Sequence, residues 1–152
     1  MKKFNQPIFI VEDDQTYALI LHFNLKQMGY NNVQIFHDSK ELYQNLHRKP
    51  FLILLDINLG QEENGVEILK EVKSISPDIE ILMLSGQEDL ECAIETLKLG
   101  ALDYIAKGDN VKSRLEYNLE KIDHIAELIK HRAKRATRKT VSYTHLTLPT
   151  IA

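Results

Sequence analysis

Asp56 stands at the end of the apolar run Phe51–Leu55 (FLILL) and is followed at once by Ile57, Asn58, Leu59 and Gly60. Three other apolar runs finish in the same manner. Ile8–Val11 (IFIV) ends in Glu12, Asp13 and Asp14; Ile79–Leu84 (IEILML) ends in Ser85 and Gly86; Tyr104–Ala106 ends in Lys107. Acid, acid, hydroxyl and amine form a set suited to phosphoryl transfer, where a protein's work is mostly positioning and charge neutralisation. Glu12, Asp13 and Asp56 brought together repel one another unless a cation joins them, and carboxylate oxygens, a backbone carbonyl and water are the ligands Mg²⁺ prefers. Lys107 offers a compact positive charge for a phosphoryl oxygen. Ser85 offers a hydroxyl donor, and Asp56 is the expected nucleophile, giving an aspartyl phosphate. Any one of these residues alone reads as a solvated loop side chain. The argument rests on all four strand ends meeting at one edge.

That meeting requires particular elements. Continuous apolar runs of this length fit strands buried on both faces, as in parallel sheets, and Val33–Phe36 adds a fifth candidate. Helical spacings of three and four separate the runs. Tyr17, Leu21, Leu25 and Met28 mark the first helix, which Gly29 ends; Leu42 and Leu46 mark the second, closed by Pro50. Val66, Leu69, Val72 and Lys73 mark a third that stops before Pro77, and Ala93, Ile94 and Leu97 a fourth that ends at Gly100. Strict alternation predicts a doubly wound, five-stranded parallel sheet of (βα)5 type, with its chemistry at the carboxyl ends of the strands. The fifth helix extends further: Leu115, Leu119, Ile122, Ala126, Ile129, Ala133 and Ala136 alternate spacings of four and three, as a coiled-coil seam does. Its first half is expected to pack on the sheet, and the rest to serve as linker or partner helix.

With 43% hydrophobic and 27% charged residues, the 152-residue chain falls in the ordinary range of globular domains, and no apolar stretch is long enough to span a membrane. A lone Cys92 cannot form an internal disulfide, which fits a reducing, cytoplasmic setting. The net charge of −3 conceals an asymmetry: no acid follows Glu127, while Lys130, Arg132, Lys134, Arg135, Arg138 and Lys139 do. The body is therefore acidic and residues 127–140 form a basic helical extension or linker. Residues 141–152 are uncharged and β-prone, and look like translated vector or adapter sequence. They read as a non-native tail, which is compatible with a natural chain that continues differently into an output domain.

Taken together, Val11–Asp13, Leu55–Asn58, Leu84–Gly86 and Asp103–Lys107 resemble the motifs of the receiver domain of bacterial two-component response regulators, over residues 6–126. The resemblance implies a flavodoxin-like receiver fold and phosphorelay from a sensor histidine kinase, or a phosphotransfer protein, to Asp56. It implies Mg²⁺ bound directly by Asp13 and Asp56, with the Asn58 backbone carbonyl as third ligand and Glu12 acting through water. Lys107 would pair with the phosphoryl group, Ser85 would swing toward it, and Tyr104 would turn inward. The face of the fourth helix, fifth strand and fifth helix would then change shape. That face, or the C-terminal helix, is a candidate homodimer surface. Such a domain is a phosphoacceptor that assists its own phosphorylation and dephosphorylation, not an enzyme with an external substrate. Gly108 stands where the family usually has proline, Gly60 replaces a common loop proline, and the Gly60–Gly65 loop is one residue longer than the commonest form.

Other readings of the residues are weaker. An aspartate-nucleophile hydrolase of the haloacid-dehalogenase type wants a second acid two residues after the nucleophile, where this chain has Asn58. A phosphorylation-independent interaction module has no reason to crowd so many charges. Direct nucleic-acid binding by the basic segment lacks a recognition helix or aromatic platform. On the residues alone Tyr104 reads equally as a half-buried strand aromatic or as a switch, which the resemblance favours, and Gln87 either tunes phosphoaspartate hydrolysis or begins a helix. The six histidines, including His124 and His131 on one helical face, read as surface residues.

Overall fold

In the computed structural model, residues 3–60, 63–108 and 110–151 are described, with side chains through Arg138. Two compact units emerge, residues 3–118 and the helix from Leu119 onward. The first unit alternates strand and helix: β1 (Ile8–Val11), α1 (Gln15–Gln27), β2 (Val33–Phe36), α2 (Ser39–Asn45), β3 (Leu52–Asp56), α3 (Gly65–Ile75), β4 (Glu80–Ser85), α4 (Leu90–Lys98), β5 (Asp103–Ala106) and α5 (Val111–Ile151), the last running into the second unit. The five strands form one parallel sheet in the order β2-β1-β3-β4-β5. This is the doubly wound arrangement the alternation predicts.

The central strands owe their positions to burial. Every residue of β1, and Leu52–Leu55 of β3, is fully buried, as are Ile81–Leu84 of β4. Each such side chain contributes about 1.5–3 kcal/mol when removed from water. Helix starts are fixed by the short polar residues before them. Asp14, Asp38, Asn64 and Asp89 cap α1 to α4, each accepting a backbone N–H from the first turn. Gly29 and Gly100, at φ near +100°, turn the chain out of α1 and α4.

Three features differ from expectation. Leu46–Arg48 form a 3₁₀ turn after α2. The loop after β3 contains a short antiparallel pair, Asn58–Leu59 with Glu63–Asn64; Gln61 and Glu62, part of the longer loop, lie outside the described residues. In α4 the fully buried residue is Thr96, while Leu90, Ile94 and Leu97 are exposed. Apolar spacing located that helix but does not mark its buried residue, since the Thr96 hydroxyl bonds to the Ala93 carbonyl and so can be buried at little cost.

In the second unit the backbone is helical to Ile151, and Ile125, Leu128 and Ile129 are exposed. Leu115, in the first unit, is fully buried as expected for the inner half of α5. The tail reading of 141–152 concerns side chains beyond Arg138 and Ala152, which lie outside the described residues. No helix among the described residues is long and apolar enough to cross a membrane.

One contact sets the geometry at the carboxyl edge. Gly65 opens α3 directly beneath the end of β3, its N–H donating to the Ile57 carbonyl at 2.7 Å. A Cβ at Gly65 would fall 2.3 Å from the Asp56 carbonyl oxygen and 2.7 Å from Ile57 Cα, both backbone atoms. Gly65→Ala is therefore expected to lower stability by about 1–3 kcal/mol, the usual cost of overpacking, read from the midpoint of urea denaturation. An unchanged midpoint would mean that the chain relaxes freely at this joint.

Candidate functional site

The sheet's backbone ladder carries on one residue past the strands and thereby fixes the site residues. Glu12 N–H donates to the Phe36 carbonyl at 3.0 Å, Ile57 N–H to Leu84 at 2.9 Å, and Lys107 N–H to Ser85 at 2.7 Å. Val11 sits level with Leu55, and Asp56 with Leu84. Glu12, Asp56 and Lys107 are thus delivered by β1, β3 and β5 to the same edge, as the sequence predicts.

Lys107 lies between the acids. Its Nζ donates to both Glu12 oxygens at 3.0 Å and to Asp56 Oδ2 at 2.9 Å. Asp56 Oδ1 accepts the Asn58 backbone N–H at 3.1 Å. Both Asp56 oxygens are held, so the carboxylate is kept in one orientation. Glu12 is fully buried and Asp56 nearly so, whereas Asp13 is exposed. Carboxylate oxygens of the three lie within 4.8 Å of one another. This is a hard-oxygen donor set that fits one divalent cation. Burial first, and then the Asp56 carboxylate beside it, push the Glu12 pKa up to about 7 despite the opposing pull of Lys107. Burial alone would lower the Lys107 pKa, but its bonds to Asp56 and Glu12 outweigh that and raise it.

Ser85 is buried, and its Oγ donates to the Gln87 carbonyl at 2.9 Å while accepting the Gln87 N–H at 3.2 Å. Tyr104 Oη donates to the same Gln87 carbonyl at 3.1 Å. One backbone oxygen therefore joins the end of β4 to β5. Tyr104 is half-buried and packs against the core, so it serves as strand aromatic and hydrogen-bond donor at once. A depression of about 700 Å³ opens alongside, lined by Tyr104, Ala106 and Lys107 together with Glu88, Leu90 and Arg114.

The two loop departures have physical accounts. Gly60 has φ +81°, which proline cannot adopt. The Lys107–Gly108 peptide, like every other among the described residues, is trans. Sequence reasoning missed two participants. His37 is exposed, as surface placement predicts, yet its Nδ1 lies 3.1 Å from the Glu12 carbonyl at the rim of the site. Tyr17 served only as a helix marker, but its ring lies beneath Lys107, 4.6 Å from Nζ to the centroid. Only the topology brings either of them to this edge.

Comparison with known proteins agrees with this geometry. The response regulator receiver domain family matches residues 8–116. The transcriptional regulatory protein ZraR of Escherichia coli K12 is 34% identical over 116 residues, covering 74% of this chain and 26% of that protein. The Salmonella typhimurium protein of the same name is 36% identical over 115 residues, covering 75% and 25%. The chain thus spans about a quarter of the length of these curated relatives. Among solved structures, a CheY-like response regulator receiver domain protein from Methanospirillum hungatei superposes with a TM-score of 0.71 at 29% identity, covering 81% of this chain and 98% of that one.

The Glu12 shift has a sign that can be checked. An acid whose native pKa lies above its unfolded value of 4.5 keeps its proton longer when folded. Its contribution to stability is therefore full below pH 4.5 and is lost as pH rises toward 7. Relative to Glu12→Gln, the parent is expected to lose stability steadily across that window when both are unfolded by urea without divalent cation. Parallel curves would show that Glu12 titrates normally.

Proposed function

The chain belongs to the response regulator receiver domain family, and from that premise we propose that it is a Mg²⁺-dependent phosphoacceptor that takes a phosphoryl group from a histidine kinase, or a phosphotransfer protein, onto Asp56. The observation that carries this reading is the single ammonium of Lys107 bonded to both Glu12 and Asp56, with the other Asp56 oxygen oriented by the Asn58 amide. An Asp56 oxygen attacks phosphorus, forming a P–O bond as the P–N bond of the donor phosphohistidine breaks and the electron pair returns to the imidazole. Lys107 is then placed to follow the charge from the carboxylate to the phosphoryl oxygens.

Asp13 and Asp56 would hold the cation directly, with the Asn58 backbone carbonyl, and Glu12 would act through water; both Glu12 oxygens being engaged by Lys107 supports that division. A bound Mg²⁺ supplies neutralisation of the phosphoryl oxygens and of the crowded acids. The domain promotes its own phosphorylation and dephosphorylation in this account, and Gln87, two residues after Ser85, would tune the second.

The new dianion would draw the Ser85 hydroxyl away from Gln87. Because Tyr104 shares that Gln87 carbonyl, losing one donor alters the bond of the other. The signal would thereby pass to the face of α4, β5 and α5, where a second copy or an output domain could read it. The curated relatives are named as transcriptional regulators and are about four times longer than the matched segment, which supports an output domain in the full protein and a cytoplasmic place of action.

Intact mass after incubation with acetyl phosphate and Mg²⁺ tests the reading. One phosphoryl adduct is expected on the parent, none on Asp56→Asn, and none on either in EDTA. Adduct on both proteins would place the acceptor elsewhere. A parent that takes no phosphoryl group and no beryllofluoride would favour a phosphorylation-independent interaction module instead.

A further inference from the structure

Tyr17 is tied into the site from two directions. On the backbone side, Asp14 Oδ1 accepts the Tyr17 N–H at 3.2 Å and the Thr16 N–H at 3.0 Å, and Asp14 N–H donates in turn to Glu12 Oε1 at 3.3 Å. The first turn of α1 is thereby referenced to the same buried carboxylate that Lys107 holds. On the side-chain side, the Tyr17 ring lies 4.6 Å from Lys107 Nζ, within the range of a cation–π attraction. The ammonium is held between an aromatic ring and two carboxylates. The Tyr17 hydroxyl is buried and has no hydrogen-bond partner among the described residues, and the contact with Lys107 is made by the ring.

The carboxylates alone are an incomplete anchor. Lys107 sits on a flexible four-carbon stem with large rotamer entropy. Once an Asp56 oxygen becomes the bridging oxygen of an acyl phosphate, the carboxylate anion that attracted the ammonium at that position is gone. The attraction of the ring does not depend on the state of either carboxylate. We propose that Tyr17 is a positioning residue for phosphoryl transfer at Asp56, its ring holding the Lys107 ammonium in the site while the negative charge moves from carboxylate to phosphoryl group. This rests on the reading of Asp56 as phosphoryl acceptor.

The test compares the full chain with Tyr17→Phe, which keeps the ring, and Tyr17→Leu, which removes it. Initial rates of adduct formation with acetyl phosphate and Mg²⁺ are followed by mass, with Asp56→Asn as blank. Tyr17→Leu is expected to be slower by about fivefold to tenfold, the scale of a partly desolvated cation–π contact, and Tyr17→Phe to stay within about twofold of the parent. One further signal reports the ring–ammonium contact itself, separately from the rate. The Lys107 ε-methylene protons, shifted by the ring current in the parent and in Tyr17→Phe, should return to ordinary lysine values in Tyr17→Leu. Should Tyr17→Leu fail to fold, Tyr17→Met replaces it under the same criteria. A ring-free variant as fast as the parent, or Tyr17→Phe as slow as the ring-free one, overturns the inference alone. A parent that takes no adduct overturns the acceptor reading and this inference with it, even if the ring-current shift is present.

Discussion

Two carboxylates at the end of an apolar parallel sheet would be untenable without a cation, and the rest of the site follows from how this chain meets that need. Glu12 and Asp56 are buried because β1 and β3 are buried along their whole length, and the residue after an apolar strand inherits its surroundings. Lys107 supplies the neutralising charge from β5, two strands away from β3 across the sheet. Neutralisation is partial, since one ammonium faces two acids with a third nearby, and burial, with Asp56 beside it, raises the Glu12 pKa. Surplus negative charge of this kind is what a divalent cation with oxygen ligands would offset.

Rigidity at the edge makes the arrangement usable. The ladder bonds from Glu12, Ile57 and Lys107 extend the sheet past its strands, and the Gly65 amide clamps the start of α3 to the same loop. Against this fixed frame, the bonds of Ser85 and Tyr104 to Gln87 are made by side chains to a single loop carbonyl. Their partner is shared, so the two donors are coupled without any movement of the core. The charged cluster thus sits on the rigid part of the edge and the Ser85 and Tyr104 bonds on its adjustable part, a division that would suit the proposed switch.

Much of this was legible in the sequence. The strand runs, the alternation and the end residues Glu12, Asp56, Ser85 and Lys107 follow from the two-sided burial of parallel strands, which leaves a strong apolar signature and a sharp polar stop. The receiver motifs identified the family for the same reason. Helix faces were harder to assign. Thr96 is the inner residue of α4 because its hydroxyl bonds within its own turn, a possibility that hydrophobic periodicity does not register. The place of Tyr17 was also hidden, since a tyrosine at helical spacing looks like core. Its contact with Lys107 spans ninety positions of chain and exists only once β5 closes beside the rest of the sheet.

Amide resonances recorded with and without Mg²⁺ and beryllofluoride, a stable mimic of the phosphoryl group, test the central claim most directly. The account requires shifts at Asp56, Asn58 and Lys107 that extend through Ser85 and Gln87 to Tyr104 and appear only when both additions are present. Shifts confined to the loop around Asp56, or occurring without the metal, would contradict a site in which one buried charge cluster controls both the chemistry and the signal.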